Sequence, residues 1–193
     1  MPIDLETVDE ARLVAQALAG SQSAFEQIVR RYQRPIISLI ARMTRDRALA
    51  EDLAQEAFVK AFRSLAAFDT SRRLSSWLFR IAHNTALDAI RRSRSSGKSA
   101  ELSADIAGEW RVPAAPASPD PVEQQALGGA LHTALARIRL EFRVATVLRY
   151  EEGLSFDEIG HVMGVPAATA RSHVHRARKE LIRLLTESGW GPS

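Results

Sequence analysis

The segment Gly153–Leu185, GLSFDEIGHVMGVPAATARSHVHRARKELIRLL, decides the fold of the C-terminal part of this chain. Ser155 and Glu158 form an S-x-x-E capping box, a pattern that predicts the start of a short helix. Gly164 can adopt the left-handed conformation that ends such a helix, and Pro166 prevents simple continuation into the next one. The segment therefore predicts two helices joined by a tight turn, a helix-turn-helix.

The second helix of this motif has two dissimilar faces. Its apolar face repeats small and aliphatic residues at helical spacing, namely Ala170, Val174, Ala177, Leu181 and Leu184/Leu185. The opposite face is cationic and rich in hydrogen-bonding groups, and carries Arg171, Ser172, His175, Arg176 and Lys179. Such a face suits the major groove of DNA, although a solvated charged face on a bundle helix produces the same pattern. The short first helix, the turn and the basic second helix together favour DNA binding.

The composition of the whole chain favours a helical protein with real hydrophobic cores. The 193 residues are 46% hydrophobic and only 6% aromatic, and the net charge is +3. The chain has no cysteine, which excludes disulfides and thiolate metal ligands. It also lacks an apolar stretch of about 20 residues and a recognisable signal peptide. We therefore expect a soluble intracellular protein.

Four helices are predicted in the N-terminal half, over residues 4–19, 21–43, 46–67 and 77–94. Ser21 or Ser23 is expected to cap the second helix, and Asp46 the third. Ser75 or Ser76 is expected to cap the fourth. Pro35 interrupts the second helical pattern and predicts a kink or a new start there.

The third predicted helix has an acidic side. Its buried side is expected to contain Leu49, Leu53, Ala57, Phe58, Ala61, Phe62 and Leu65. The other side carries Glu51, Asp52, Gln55 and Glu56. This side is either a solubilising surface, supported by a Glu56–Lys60 pair, or a docking surface for a basic partner. The residues alone favour the solubilising surface.

A polar loop, FDTSRRLS (residues 68–75), precedes the fourth helix. The apolar side of that helix is expected to contain Leu78, Ile81, Ala82, Thr85, Ala86 and Ala89. The opposite arc carries Arg80, His83, Asn84, Leu87 and Arg91. Arginines, aromatic rings and an amide side chain can bind phosphates and an exposed base. The alternative is a surface helix whose Trp77 and Phe79 belong to the core.

Residues 95–121 predict a flexible linker, because they contain four of the eight prolines and are mildly acidic. Trp110 within it is a candidate contact point. Helices are predicted again over residues 122–137, where Gly128 and Gly129 weaken the pattern, and over residues 140–151.

The sequence contains no catalytic motif. The phosphate-binding loop, the H-E-x-x-H zinc motif and the nucleophile elbow are all missing. His173 and His175 are two positions apart, so on a helix they diverge and cannot share a metal ion. The isolated His83, His132 and His161 are expected to be surface residues. No metal, cofactor or small-molecule substrate is therefore expected.

Four segments, taken in order, resemble one protein family. They are AFEQIVRRYQRPI, AEDLAQEAFVKAF, FDTSRRLSSWLFRIAHNTALDAIRR and FRVATVLRYEEGLSFDEIGHVMGVPAATARSHVHRARKEL. They resemble the extracytoplasmic-function (ECF, group 4) sigma factors of bacterial RNA polymerase over roughly residues 24–94 and 125–187. The resemblance implies an all-α fold of two small helical domains. Residues 1–94 would be sigma region 2, residues 95–121 a flexible linker, and residues 122–188 sigma region 4.

The resemblance also assigns roles to particular residues. Docking on the clamp helices of the large subunit of core RNA polymerase is implied for Asp52, Gln55 and Glu56. Recognition and opening of the minus-10 element are assigned to Phe68, Arg72, Arg73, Phe79, Arg80, Ile81, Ala82, Asn84 and Arg91. Reading of the minus-35 duplex is assigned to the outward face of the C-terminal helix, Arg171, Ser172, His175, Arg176 and Lys179.

The family resemblance implies the partners as well. These are core RNA polymerase, promoter DNA and an anti-sigma factor, which in the family often holds the sigma factor at the membrane of a bacterial cell. His173 departs from the family, which often has arginine there, and this removes a phosphate contact at neutral pH. The alternative function is a stand-alone helix-turn-helix transcription regulator with residues 1–94 as a dimerisation or sensing domain. A helical enzyme is disfavoured because no catalytic constellation is present.

Overall fold

A computed structural model describes residues 5–95 and 121–190, with side chains for residues 9–95 and 125–190. Within these residues the regular elements are all helices, which confirms the predicted all-α class. They are α1 (Leu5–Leu18), α2 (Gln22–Thr44), α3 (Arg47–Ser64), a 3₁₀ turn (Leu65–Ala67), α4 (Leu74–Ser95), α5 (Pro121–Arg137), α6 (Leu140–Tyr150), α7 (Phe156–Met163) and α8 (Ala167–Glu187). None of the described helices combines the length and apolar composition that crossing a bilayer requires.

The chain divides into two compact units, Met1–Ser99 and Ala100–Ser193. The predicted linker, including Trp110, lies outside the described residues apart from its two ends. Its flexibility therefore remains a prediction.

The first unit contains α1 to α4, and α2 packs against all three of the others. Its core includes Ile28, Ile36, Leu39 and Ile40 of α2, all of them fully buried. Burying each such side chain stabilises the fold by about 1.5–3 kcal/mol. Of the two outcomes predicted at Pro35, a new helix start is excluded because α2 continues through this residue, and a kink stays a prediction. The buried residues on either side of Pro35 offset the backbone hydrogen bond that proline cannot make.

The caps of α2 and α3 are as predicted. The Ser21 side chain accepts from the amide of Ala24, and the Asp46 side chain from the amide of Leu49 at 3.0 Å. The predicted cap of α4 is wrong. This helix begins at Leu74, so Ser75 and Ser76 lie inside it and are buried.

The buried face of α3 overlaps the predicted one, because Leu53, Ala57, Phe58, Ala61 and Leu65 are buried as expected, but two predicted residues lie outside it. Leu49 and Phe62 are 38% and 59% exposed, whereas Ala50 and Ala54 are buried. Small residues at these positions let α3 approach α2 and α4 closely, and this packing determines which face is inside. The helical period alone does not determine which of two adjacent rows of residues on α3 is buried.

The second unit contains α5 to α8, and α8 packs against each of the other three. One cluster of its core is formed by Ala134, Leu135, Ile138, Phe142, Ala177, Leu181 and Leu184. Arg143 is buried beside it and donates to the carbonyl oxygens of Leu135, Ala136 and Ile138 at 2.7, 2.9 and 3.0 Å. It thereby satisfies carbonyl groups that the end of α5 leaves without helical partners. Helix α5 also continues through Gly129 without interruption.

Candidate nucleic-acid and partner interfaces

The structure contains the predicted helix-turn-helix. The Ser155 amide donates to Glu158 Oε2 at 2.7 Å, and the Glu158 amide donates to Ser155 Oγ at 3.2 Å. This reciprocal pair is the capping box at the start of α7. Gly164 ends α7 with a φ of 68°, which is the left-handed conformation predicted for it. The turn therefore places α8 directly after α7, beginning at Ala167.

Gly160, inside α7, is a second glycine that the helix-turn-helix requires, and it was not predicted from the sequence. A Cβ atom at this position would lie 2.6 Å from the carbonyl oxygen of Val165 and 3.2 Å from the amide nitrogen of Ala167. Only glycine allows the backbone of α7 to approach the start of α8 this closely. A glycine inside an otherwise well-formed helix was the available signal, since it costs about 1 kcal/mol relative to alanine.

The cationic face of α8 is present as predicted from the helical period. Arg171, His175, Arg176 and Lys179 are exposed, and Ser172 is half-buried. The apolar face on the other side is buried, with Ala170, Val174, Ala177 and Leu181 in the core. The structure therefore gathers all five predicted minus-35 residues on one outward face.

An aromatic ring places a third arginine, Arg149, beside this surface. The guanidinium carbon atoms of Arg149 and Arg171 lie 4.9 and 4.8 Å from the ring centroid of Phe156. Arg149 Nη1 also donates to the carbonyl oxygen of Leu154 at 2.8 Å, which ties α6 to the start of the motif. Phe156 therefore orients two cations of the candidate DNA interface. Arg149 was not among the predicted site residues, because its position becomes apparent only when α6 packs on α7.

His173 is directed toward the protein interior. Its ring centroid lies 5.5 Å from that of Phe142, and its Nδ1 is buried without a hydrogen-bond partner in the described structure. Burial lowers the pKa of His173 below its ordinary value, and the nearby Glu141 carboxylate only partly opposes this. A neutral, half-buried imidazole cannot replace an arginine as a phosphate contact.

The second candidate DNA surface lies on α4 and the loop before it. Arg72 and Arg73 of the loop are exposed, as are Arg80, Asn84 and Arg91 of α4, and Ile81 is half-buried. Asp69 organises the loop by accepting from the Ser71 amide at 3.0 Å, from Ser71 Oγ at 2.7 Å and from Arg72 Nε at 3.3 Å. The hydrogen bonds from Ser71 lower the pKa of this exposed carboxyl.

Three residues assigned to the minus-10 surface are not on it. Phe68, Phe79 and Ala82 are buried, with 8%, 1% and 0% of their surface exposed. The Phe68 ring packs 5.1 Å from that of Trp77, and Phe79 and Ala82 face the core because α4 packs on both α2 and α3. In this structure they belong to the core beneath the exposed residues of α4 and its loop. The sequence left open whether Phe79 belongs to the core, and the structure shows that it does.

His83 also differs from its expected location. It was placed on the outward arc of α4, but it is buried, and burial lowers the pKa of its ring. Its Nδ1 lies 3.4 Å from Asn84 Oδ1, so it contacts an exposed residue of the same surface.

The acidic side of α3 is exposed at Asp52, Gln55 and Glu56. Glu56 pairs with Lys60 at 2.7 Å, as predicted, and Lys60 also donates to Thr85 Oγ1 of α4 at 3.2 Å. Val59, one helical turn beyond Gln55 and Glu56, is 49% exposed. The acidic side of α3 therefore also carries one partly exposed apolar side chain. No cluster of three or more metal-ligating side chains occurs among the described residues.

Comparison with known proteins identifies both units. Residues 28–96 match the family "Sigma-70 region 2", and residues 129–181 match "Sigma-70, region 4". The RNA polymerase sigma-H factor of Pseudomonas aeruginosa is 33% identical over 91% of this chain and 93% of its own length. The ECF RNA polymerase sigma factor SigW of Bacillus subtilis is 33% identical over 90% of this chain and 95% of its own length.

Two solved structures have the same architecture. CnrH, solved in complex with the cytosolic domain of CnrY, superimposes with a TM-score of 0.67 at 25% identity, covering 93% of this chain and 98% of the solved one. The sigma factor RpoE of Bartonella quintana, solved in complex with the anti-sigma factor NepR, gives a TM-score of 0.65 at 26% identity, covering 84% of this chain and 96% of the solved one.

The two matches define the class of the protein as a sigma-70-type sigma factor. Within that class, the chain belongs to the ECF sigma factors of bacterial RNA polymerase. It is an alternative sigma factor that directs promoter-specific transcription. A stand-alone helix-turn-helix regulator is not favoured, because the family matches cover both units and not the helix-turn-helix alone.

Proposed function

We propose that this sigma factor divides promoter recognition among three surfaces. The acidic side of α3 docks on the clamp helices of core RNA polymerase, the outward face of α8 reads the minus-35 duplex, and α4 with its preceding loop opens the minus-10 element. The observation that carries this proposal is the presence of two separate basic surfaces, one in each unit matched to a sigma-70 region.

The face of α8 has the properties that duplex reading requires. Arg171 and Arg176 are exposed and can donate to guanine or to phosphate, and Lys179 adds a backbone contact. The small residues Ala170 and Ala177 on the buried side let α8 sit firmly on the rest of its unit. A rigid support is needed because base reading tolerates little displacement of the side chains.

The surface of α4 suits a single strand better than a duplex. Taking a base out of the stack costs a few kcal/mol, which hydrogen bonds to the exposed base and contacts to its backbone can offset. Asn84 offers an exposed amide for such hydrogen bonds, and Arg72, Arg73 and Arg80 supply phosphate contacts. Of the assigned residues, we retain the exposed ones and half-buried Ile81 in this role. Phe68, Phe79 and Ala82 support them.

The same proposal includes the domain division, the cellular location and the partners of the protein. Residues 1–94 act as region 2 and residues 122–188 as region 4, and residues 95–121 connect them. The chain acts in the bacterial cytoplasm and catalyses no reaction itself. Because RpoE was solved with an anti-sigma factor, we include an anti-sigma factor among the partners. The family resemblance adds to the proposal that this partner holds the sigma factor at the membrane until it is released.

Three variants separate the three surfaces in one experiment. Glu56→Arg should abolish assembly with purified core RNA polymerase, whereas Asn84→Ala and Arg176→Ala should assemble normally. Asn84→Ala holoenzyme should bind the promoter without opening it, as measured by permanganate reactivity of minus-10 thymines. Arg176→Ala holoenzyme should lose affinity for the promoter.

If Asn84→Ala loses affinity for core RNA polymerase instead, the assignment of α4 is wrong. If Glu56→Arg assembles like the wild type, the assignment of α3 is wrong.

A further inference from the structure

Helix α1 lies outside the matched sigma-70 region 2, which begins at residue 28. Its Glu10 is half-buried, and the two oxygens of its carboxylate accept different hydrogen bonds. Oε2 accepts from the Tyr32 hydroxyl of α2 at 2.8 Å, and Oε1 accepts from the Leu74 amide at 3.1 Å. One side chain therefore joins three helices, and its two partners are 22 and 64 residues away in the sequence.

The hydrogen bond from the Leu74 amide to Glu10 acts as an N-terminal cap of α4. Leu74 is the first residue of α4, where amide groups lack helical partners and a negative charge is favourable. Neither nearby serine supplies an acceptor. Ser76 Oγ donates to the carbonyl oxygen of Arg73, and Ser75 Oγ is buried without a hydrogen-bond partner in the described structure. The acceptor comes instead from α1.

Tyr32 holds the Glu10 carboxylate in place. The tyrosine is buried, and burial together with its hydrogen bond to Glu10 raises its pKa far above the ordinary value of 10.0. Its hydroxyl therefore stays protonated and remains a donor to Glu10 across the physiological pH range. The carboxylate is thus fixed by a residue of the core of the first unit.

The position of this cap connects it to promoter opening. Leu74 directly follows Arg72 and Arg73 of the loop before α4. Asp69 fixes the beginning of this loop through Ser71 and Arg72, as described above. The loop is therefore held at one end by its own carboxylate and at the other end by a carboxylate of α1.

We infer that Glu10 is a positioning residue for opening of the minus-10 element: it holds the loop and the start of α4 where their cations and Asn84 meet the separated strand. Helix α1 is then a functional part of the opening surface, although it lies outside the matched region. This inference rests on the proposed function of α4.

The experiment compares Glu10→Ala with Asp9→Ala in full-length holoenzyme. Asp9 is a matched control, because it is a carboxylate on the same helix that pairs only locally with Arg12 at 2.6 Å. Opening is measured as the rate at which minus-10 thymines become reactive to permanganate. Two templates are used, a duplex promoter and the same promoter with a pre-melted minus-10 bubble. Affinity for core RNA polymerase and the melting temperature of each variant are measured in parallel.

Glu10→Ala should slow opening of the duplex promoter about fivefold or more. This factor corresponds to the free energy that one helix cap contributes. Its transcription from the bubble template should stay near that of the wild type, because the strands are already separate. Glu10→Gln, which retains one acceptor oxygen, should recover part of the rate. Tyr32→Phe should slow opening in the same way, and it provides a second variant should Glu10→Ala fold poorly.

Equal opening rates for Glu10→Ala and Asp9→Ala would overturn the inference. So would a loss that is the same on duplex and bubble templates and is accompanied by weaker core binding, since that pattern indicates only a structural role. If the wild-type holoenzyme itself fails to open the minus-10 element, the proposed function of α4 is wrong as well.

Discussion

Replacement of Gly160 by alanine tests the geometry of the helix-turn-helix. The added Cβ would lie 2.6 Å from the Val165 carbonyl oxygen, whereas ordinary contact begins at 3.4 Å. Helix α7 and the turn must therefore separate by about 0.8 Å, the difference between these two distances. Because α8 begins at Ala167, two residues beyond Val165, this displacement moves the candidate DNA-reading helix as well.

Two opposing effects determine the size of the change. Overpacking of a tight contact costs about 1–3 kcal/mol, and here the obstructing atoms are backbone and cannot rotate away. Alanine in place of a helical glycine contributes about 0.5–1 kcal/mol in the opposite direction. The middle values of the two effects give a net destabilisation of the second unit by about 1 kcal/mol, or a fall of roughly 4–8 °C in its melting temperature.

Gly129→Ala is the matched control, because Gly129 is helical and a Cβ there meets no atom within 4 Å. This variant should gain about 0.5–1 kcal/mol. Hydrogen exchange of the full-length chain, resolved by peptide, should show faster exchange in α7 and α8 of Gly160→Ala and unchanged exchange in α1 to α4. If Gly160→Ala is as stable as Gly129→Ala, the close approach in the turn is not a real constraint and the reasoning fails.

Three further predictions concern single side chains. Arg176→Ala should weaken binding of holoenzyme to the minus-35 duplex by about 1–3 kcal/mol if the contact to guanine is bidentate; an equal loss on every minus-35 sequence in a binding assay would show that Arg176 contacts only phosphate. Phe156→Leu should weaken duplex binding by about 0.5–1 kcal/mol because it removes the ring that orients two arginines, and Phe156→Tyr should not; equal affinities for the two variants would refute this. Burial lowers the pKa of His83 below the ordinary 6.5, so at acidic pH this histidine binds a proton more readily in the unfolded chain than in the folded one. The first unit should therefore lose stability as pH falls below about 6.5. Thermal melts between pH 7.5 and 5.5 should show a shallower loss for His83→Gln, and an identical slope would contradict the account.

The features that could be predicted from the sequence are those that depend on neighbouring residues. The capping box of Ser155 and Glu158 and the left-handed Gly164 are complete within ten residues, so the local pattern determines them. The cationic face of α8 follows from one helical period in the same way. The family resemblance added the functional assignment, because four segments in a fixed order are more specific than any one face.

The features that could not be predicted depend on packing between distant segments. The cap of α4 comes from Glu10, 64 residues away, and therefore no pattern of neighbouring residues predicts it. Helix α4 packs on two neighbours, and its buried arc is therefore wide enough to include His83.

The helical period and the family resemblance give conflicting locations for Ala82. Its position in the helical period correctly placed it on the apolar side of α4, whereas the family resemblance assigned it to the minus-10 surface. The structure buries Ala82 completely, so the physical pattern was the better guide to its location. Family roles are therefore best transferred to positions that the fold leaves exposed, such as Arg80 and Asn84 of the same helix.

The central claim is that this chain directs core RNA polymerase to promoters, and reconstituted run-off transcription tests it most directly. Purified core RNA polymerase, the full-length chain and a set of candidate promoter templates from its own genome would be combined. The account predicts a transcript of defined length from at least one template that requires both the chain and an intact minus-35 and minus-10 element. The absence of such a transcript, together with no binding to core RNA polymerase and tight duplex binding by the chain alone as a dimer, would contradict it.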